Sequence, residues 1–514
     1  MMLAELFAGM NVAIPAEAGT RQVFDLTVDS RRTVRGGLFM ACAGSRTHGL
    51  AHLDGALGAG AAAVAWEPGE GVAEPELPVG VVGLAVPGLE AHVGILADRF
   101  FGSPSATLTV TGVTGTNGKS TTAWLAAHAI TALGRESGYM GTLGFGVCSP
   151  DADARLQPSS LTTPGCVEVH RRLRKMLDAG AEQVVMEVSS HALDQGRVDG
   201  VRFDVAALTN ISRDHLDYHG DMDCYAEAKA RLFIGTGVRT AVINTGDVRG
   251  AELAARLNGM RDGAEVLTVA LVDTPLDGSG QDGPDARLIG HLIGAHTDGI
   301  GIRFTGDFGE ATLDSPLWGR FNAENLVVTT GMLLAQGVSL DAAVGALRAV
   351  AAPAGRMELV RGAPDQPIVV VDYAHTPDAL GAAIRATREH IAGQVWCVFG
   401  CGGDRDRGKR AQMGAVAAEL ADRTVITDDN PRNEDPATII ADIQSGVNAQ
   451  ENLTAPMEVI RERGDAISFA IRSAGVNDAV LIAGKGHEAM QVIGDDVRPF
   501  SDCDAARMAL GGVA

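Results

Sequence analysis

Apolar positions in this chain fall in short runs, each followed by a Gly-, Asp- or Asn-bearing turn and then by an Ala- or Leu-rich stretch. Residues 108–113 form one such run, ahead of a Gly-rich turn, with the Ala- and Leu-rich residues 123–133 behind it. That pattern predicts a strand, a turn and a helix. Further strands are expected at 183–188, 205–210 and 240–244, with helical segments between them. The alternation implies a largely parallel sheet with helices on its faces. Residues 288–313 alternate in a way that suits antiparallel strands, and 325–336 read as a helix. Residues 273–285, rich in Gly, Asp and Pro, read as an exposed loop. Upstream, strand-like runs at 37–41 and 79–86 flank an Ala-rich segment at 57–65, which predicts a small α/β domain. Downstream of Pro353, Ala354 and Gly355 come a strand at 367–371, a helix at 378–390, and strands at 395–399, 424–427 and 479–483. The expected fold class is therefore α/β in three domains, spanning 1–104, 105–353 and 354–514, with a linker at 102–105.

Length agrees, since 514 residues suggest about three domains. A net charge of −22 argues against a broad basic surface for nucleic acid, so any phosphate-binding groups must be local concentrations. The seven cysteines lack metal-type spacing; Cys397 and Cys401 stand four apart without a matching pair. That predicts a reduced, cytoplasmic protein. Glu5 and the lack of a basic segment near the start predict no secretory signal. No apolar run reaches membrane-spanning length.

The turn after residues 108–113 changes the picture most. It contains Gly115, Thr116, Asn117, Gly118, Lys119, Ser120 and Thr121, and the helix opens on Lys-Ser. This is a phosphate-loop arrangement. A helix N-terminus has unsatisfied N–H groups and a partial positive charge, which attract phosphate. The glycines let backbone come close, Lys119 would reach the β- and γ-phosphates, and Ser120 would offer its hydroxyl to Mg²⁺. The common pattern places a glycine five residues before Gly118, where this chain has Val113. The middle domain is thus expected to carry a P-loop ATPase-type parallel sheet.

Other polar clusters also follow strands. Glu187 ends one, where a carboxylate is well placed to hold Mg²⁺. Residues 210–219 pack His215, His219, Asp214 and Asp217 into ten positions, a density that suggests a metal or phosphate site. Lys229, in Ala-Lys-Ala-Arg, reads on its residues alone as an exposed lysine on a helix. In the last domain, Asp372 and His375, the charged run at 403–410, residues 428–432 and residues 484–488 each follow a strand. Loops at successive strand ends would line one cleft. The glycines at 400–403 lack dinucleotide-type spacing, so no dinucleotide site is expected there although the domain looks like a dinucleotide fold.

Taken together, Gly115-Thr-Asn-Gly-Lys-Ser120, Glu187-Val-Ser-Ser-His191, Asp214-His-Leu-Asp217, Asp372-Tyr-Ala-His375 and Gly484-Lys-Gly-His-Glu488 resemble the Mur ligases, in order and along most of the chain. Asp429-Asn-Pro-Arg432 resembles the feature of the members that add meso-diaminopimelate. The resemblance implies an ATP- and Mg²⁺-dependent ligase that acts on small molecules only, as a monomer. Its substrates would be a UDP-N-acetylmuramoyl dipeptide, meso-diaminopimelate and ATP, with the nucleotide held between the second and third domains. It implies roles residue by residue. Ser30, Ser45, Arg46 and Thr47 would bind the uridine part of the nucleotide substrate, and Thr162, Thr163, Ser189, Gln195 and Arg197 the rest of it. Asn322 and His375 would join the phosphate loop in contacting ATP. Arg405, Asp429, Asn430, Pro431, Arg432, Gly484 and Glu488 would bind diaminopimelate. Lys229 matches a lysine that the family carbamylates, and its carbamate would hold Mg²⁺ with Ser120, Glu187 and His215. One departure is His48, where relatives commonly carry Asp. A lysine-adding or folylpolyglutamate-type ligase, or a phosphate-loop NTPase that is no ligase, are the other readings.

Overall fold

The computed structural model describes residues 1–44, 47–149, 156–260, 263–273, 286–449 and 456–512. Strands are numbered in chain order. The first four, β1 (Leu26–Thr27), β2 (Leu38–Ala41), β3 (Ala63–Trp66) and β4 (Val82–Ala85), form a parallel sheet in the order β1-β2-β3-β4. Successive residues point to opposite faces, so each strand feeds two cores. Leu38, Met40, Ala63 and Ala65 pack with the helix Leu89–Phe100, and Phe39, Ala41, Val64 and Trp66 pack on the other side. The expected linker at 102–105 is a packed turn, with Pro104 and Ser105 buried in a 3-10 segment, Pro104–Ala106. A proline that presets its own turn and a buried serine make it compact rather than extended.

The chain continues through β5 (Thr109–Thr114), β6 (Ser137–Gly141), β7 (Gly144–Val147), β8 (Gln183–Glu187), β9 (Val205–Leu208) and β10 (Thr240–Asn244). Their order is β10-β9-β5-β8-β6-β7, with β5 parallel to both β8 and β9, β6 parallel to β8, and β7 antiparallel to β6. The helix after β5 runs Lys119–Ala132. Next come β11 (Glu265–Val272), β12 (Leu288–His296), β13 (Gly299–Gly306) and β14 (Ala311–Ser315). β12, β13 and β14 are antiparallel neighbours, as expected, and β12 pairs parallel with β11. The expected loop at 273–285 lies, beyond Asp273, outside the described residues. The helix expected at 325–336 starts earlier, at Arg320–Ala335, its first turn closed by Asn322 N and Ala323 N donating to Gly319 O at 2.9 and 3.2 Å.

The last part comprises β15 (Glu358–Val360), β16 (Ile368–Asp372), β17 (Val395–Phe399), β18 (Arg423–Ile426), β19 (Met457–Val459), β20 (Ala479–Ala483), β21 (Met490–Ile493) and β22 (Asp496–Pro499). The first six form a sheet in the order β15-β16-β20-β17-β18-β19, parallel except for β15. Its central strands are buried on both faces, as parallel strands covered by helices must be. Cys397 and Phe399 pack with the helices Pro377–Glu389, Gly408–Leu420 and Pro436–Asn448, while Trp396 and Val398 pack with Arg463–Ser473 and Asp502–Ala509. β21 and β22 form a separate antiparallel hairpin.

By compactness the chain divides into two units. One holds Met1–Lys119, Ile130–Val242 and Glu252–Val266; the other holds Ser120–Ala129, Ile243–Ala251 and everything from Leu267 onward. Among the described residues no helix is long and apolar enough to cross a membrane.

Candidate functional site

In the first unit, β5 delivers the chain into the phosphate loop. Gly115 adopts φ 150°, and a Cβ there would stand 1.9 Å from Thr209 Oγ1, so only glycine fits. The loop is tied to the segment after β9: Thr116 N–H donates to Asn210 O at 2.8 Å, and Asn117 N–H to Asn210 Oδ1 at 3.0 Å. Lys119 Nζ donates to Gly115 O at 2.8 Å and to Thr116 O at 2.9 Å. A lysine amine curled over a Gly-rich loop and a helix start is the arrangement that cradles phosphate. Ser120 and Thr121, in the second unit, are buried at the start of the helix.

Lys229 contradicts the reading of its residues alone. It is 1 % exposed, its Nζ donates to Gly115 O at 2.7 Å, and it lies 4.4 Å from the Tyr225 ring centroid. The helix Met222–Ala230 turns Tyr225, Ala228 and Lys229 inward. Burial, and then the nearby Lys119 cation, hold the Lys229 amine well below the usual lysine range. A buried amine of that kind is a nucleophile rather than a surface charge.

Glu187, at the end of β8, is buried. It accepts from Tyr139 Oη at 2.5 Å, from Thr142 N at 2.7 Å and from Thr142 Oγ1 at 3.2 Å. Around it the structure gathers the residues expected to bind the nucleotide-linked substrate. Thr142 Oγ1 and Thr162 Oγ1 are 3.0 Å apart. Thr163 Oγ1 donates to Glu187 O at 2.9 Å and accepts from Ser189 N at 3.1 Å. Ser189 caps the helix Ser190–Asp194. Arg197 donates to Gln195 Oε1 at 2.6 Å and to Thr163 O at 3.0 Å, and Gln195 reaches Tyr218 Oη at 3.0 Å. His191, His215 and His219 cluster with Tyr218 and Tyr225. Burial, then the neighbouring histidines, lower the His191 pKa. His215 sits at φ 52°, beside the carboxylate of Asp214 at 3.5 Å. Tyr139, Thr142 and Tyr225 carried no signal in sequence; they lie in stretches with no motif.

In the first sheet's loops, Ser30 opens a 3-10 turn capped by Asp29. Thr47 is exposed, and Ser45 and Arg46 lie outside the described residues. His48 caps the turn that follows it. Its Nδ1 accepts from Leu50 N at 3.1 Å and caps the turn Gly49–His52, while its Nε2 meets Glu67 O at 2.9 Å. That pattern requires the neutral tautomer with the proton on Nε2.

In the second unit, the loops after β16, β17, β18 and β20 leave the same, C-terminal, edge of a parallel sheet and meet one another. This is the edge where ligands of open α/β sheets bind. Asp372 accepts from Met357 N and Ala374 N, each at 2.8 Å, and burial raises its pKa. Lys409 Nζ donates to the His375 carbonyl at 2.8 Å. Asn322, on the helix Arg320–Ala335, is buried and donates to Trp318 O at 2.8 Å. Gly403 N–H donates to Asn430 O at 2.9 Å and Arg432 Nη1 to Gly403 O at 2.8 Å. Asp429 is buried against Gly484, where a Cβ would stand 2.8 Å from Asp429 Oδ2, and burial raises its pKa. Pro431 is buried, Arg432 half-buried and Arg405 exposed. Arg432 holds φ 51°, unusual for a side-chain-bearing residue, and is pinned there by Val492 O and Gly494 N. Beneath this loop, Arg410 is wholly buried and joins Glu434 and Asp442. Sequence reading missed Arg410, Glu434, Lys485 and the β21–β22 hairpin. Lys485 and Arg410 stood inside noticed motifs, at 484–488 and 403–410, but neither was singled out.

Comparison with known proteins finds relatives along nearly the whole chain. A family described as "Mur ligase middle domain" matches residues 113–333, and "Mur ligase, glutamate ligase domain" matches residues 355–486. The UDP-N-acetylmuramoyl-L-alanyl-D-glutamate–2,6-diaminopimelate ligase of Alkalilimnicola ehrlichii is 46% identical over 501 residues, 96% of each chain. Its namesake in Pseudomonas aeruginosa is 44% identical, covering 98% of each chain. A solved structure of a 2,6-diaminopimelate ligase of that name superposes with a TM-score of 0.72 at 32% identity, covering 99% of each chain.

Proposed function

We propose that this chain, which belongs to the Mur ligase family, joins one amine of meso-diaminopimelate to the D-glutamate γ-carboxylate of UDP-N-acetylmuramoyl-L-alanyl-D-glutamate, using ATP and forming ADP. The observation that carries this reading is the near-full-length identity to diaminopimelate ligases. It is supported by the convergence of Asp429, Asn430, Arg432, Gly484 and Glu488 at one sheet edge. The product is a peptidoglycan precursor.

A carboxylate is a poor electrophile, so the γ-carboxylate first attacks the ATP γ-phosphate, which yields an acyl phosphate and ADP. The amine then attacks the acyl carbon and phosphate leaves. We assign phosphate binding to Gly115, Thr116, Asn117, Gly118, Lys119, Ser120 and Thr121, with Asn322 and His375 toward the nucleotide. Lys119 would neutralise charge that builds on the transferred phosphoryl group. Ser30, Ser45, Arg46 and Thr47 are assigned to the uridine part, and Thr162, Thr163, Ser189, Gln195 and Arg197 to the remainder of that substrate. With the carboxylates of meso-diaminopimelate taken by Arg405 and Arg432 and its distal ammonium by Glu488, the reacting amine would need little further ordering.

The donor chemistry fits magnesium, a hard cation that takes oxygen ligands. Glu187 offers a buried carboxylate and Ser120 a hydroxyl, and His215 lies beside Asp214. Lys229 fits only as its carbamate, which its buried, depressed amine favours by presenting the neutral nucleophile that CO₂ requires. When bound, Mg²⁺ would supply Lewis-acid stabilisation of phosphoryl oxygens. Domains 1–104, 105–353 and 354–514 would then serve the UDP substrate, ATP and the amino acid. We also propose a cytoplasmic monomer, in keeping with the described cysteines, all free. The test is ADP release measured with meso-diaminopimelate, with L-lysine or with neither amino acid, each with and without the UDP-dipeptide. Release that needs the dipeptide and diaminopimelate supports the reading; release indifferent to both overturns it.

A further inference from the structure

Lys485 belongs to none of the roles above, yet it is among the most deeply buried charges in the second unit, with 0 % of its side chain exposed. Its Nζ donates to Met490 O at 2.7 Å, Glu488 Oε2 at 3.0 Å and Asn430 Oδ1 at 3.2 Å. Three acceptors match the three N–H bonds of an ammonium, so this group has nothing left to offer a substrate. Its consequences fall on two neighbours that the proposed function places at diaminopimelate. Asn430 Oδ1 also accepts from Val492 N at 3.0 Å, so the amide oxygen faces two donors. The amide nitrogen must then point the other way, and it donates to Glu488 Oε2 at 2.8 Å. Reversing the amide would set its NH₂ against an ammonium and a backbone N–H. Glu488 Oε2 therefore receives both Lys485 and Asn430, and the carboxylate is held in one orientation, with about a third of its side chain exposed.

The same strand, β21, supplies the reference frame. Met490 O holds Lys485, Val492 N holds Asn430, and Val492 O accepts from Arg432 N at 3.0 Å. Gln491 Nε2 donates to Asp429 O at 2.8 Å. An anion, Glu488, and a cation, Arg432, are thus fixed to one short strand. The far end of diaminopimelate carries an ammonium and a carboxylate on a single carbon, a pair with a set spacing. Lysine carries only the ammonium. A carboxylate free to swing would satisfy a lone ammonium as well as a paired one.

We propose that Lys485 is the positioning residue that gives this site its preference for an amino acid with a zwitterionic far end, by locking Asn430 and Glu488 into one orientation relative to Arg432. The proposal rests on the diaminopimelate reading. The experiment measures kcat and KM for meso-diaminopimelate, L-lysine, ATP and the UDP-dipeptide in wild type, Lys485→Met, Lys485→Arg, Glu488→Gln and the Lys485→Met/Glu488→Gln double variant. Lys485→Met is expected to raise the diaminopimelate KM by about tenfold or more and to lower the diaminopimelate-to-lysine ratio of kcat/KM, with ATP and UDP-dipeptide KM within about twofold. In the Glu488→Gln background the same change should add less than about threefold, because the two residues act as one unit. Lys485→Arg keeps the buried charge but is too long for the three acceptors, so it should shift the diaminopimelate KM; because it leaves the Glu488 carboxylate a cation, its melting temperature should fall less than that of the Met variant, and it decides the matter if the Met variant does not fold. An unchanged diaminopimelate KM in the folded variants, ATP and diaminopimelate constants moving together, or full additivity with Glu488→Gln each overturn the proposal. Wild type that turns over no diaminopimelate overturns the underlying reading, and that control separates the two failures.

Discussion

Replacing Lys229 separates chemistry from stability. Lys229→Met keeps most of the aliphatic stem and deletes the amine. It removes a hydrogen bond to Gly115 O at 2.7 Å and a contact over the Tyr225 ring at 4.4 Å. Together these are worth on the order of 1 kcal/mol for a neutral amine. No acceptor is orphaned, because Gly115 O still receives Lys119 Nζ at 2.8 Å. Against the loss stands relief from burying an ammonium. Burial and then Lys119 depress the Lys229 pKa, so the folded protein binds fewer protons than the unfolded chain between the depressed value and the ordinary one. Wild-type stability therefore rises with pH across that window, and the amine is a net burden below it. The Met variant lacks that slope. Net stability at neutral pH should change by less than about 2 kcal/mol in either direction. Activity should fall far more. Loss of the carbamate oxygen that would hold Mg²⁺ against the transferring charge corresponds to about 3–4 kcal/mol, or roughly 10²–10³-fold in kcat. The assay is coupled ADP release with saturating substrates, beside thermal melts. Wild type should lose activity when CO₂ and bicarbonate are depleted and regain it on their return. Lys229→Ala, which leaves room at the site, should be partly restored by a short-chain carboxylate. A Met variant within about threefold of wild type, folded normally, would remove Lys229 from the reaction.

Three other outcomes are expected. Lys119→Ala should abolish ligation with the melting temperature nearly unchanged; near-normal turnover would strip Lys119 of its role at the phosphates. Arg432→Ala should raise the diaminopimelate KM by the equivalent of about 2–5 kcal/mol, through an unpaired substrate carboxylate, with far less effect on the ATP KM; constants that move together would make it a structural residue. Glu434, held down to about 2 by hydrogen bonds from Arg410 against burial, contributes stability above the unfolded value that disappears as pH falls. The melting-temperature gap between wild type and Glu434→Gln should hold steady above about pH 5 and close as pH falls from about 4 toward that low value; a gap independent of pH would show that the charge is not what matters.

Much of the architecture is determined by the sequence alone, because it depends on local pattern. Residues 395–399 and 479–483 are continuous apolar runs with turn residues behind them, and both are strands with those bounds, β17 and β20. The phosphate loop was legible for the same reason: strand, glycines and Lys-Ser are contiguous, and Gly115 is required by its own backbone. The loops after β16, β17, β18 and β20 were legible as polar segments that end apolar runs, and a parallel sheet then brings their ends to one edge. What only tertiary structure decided concerns neighbours distant in sequence. Ala-Lys-Ala-Arg says nothing of what packs on that helix, so Lys229 read as exposed; its partner Gly115 is 114 residues away. Glu187 was visible at a strand end, but Tyr139 and Thr142, which hold its carboxylate, lie 48 and 45 residues off in a stretch without motif. The β21–β22 hairpin was missed because its strands are four residues each and largely exposed, too short for periodicity to register. Yet that hairpin orients Asn430 and Arg432. Hydrophobic patterning records whether a position faces water, averaged along an element; which charge meets which acceptor is settled only when the elements close on one another.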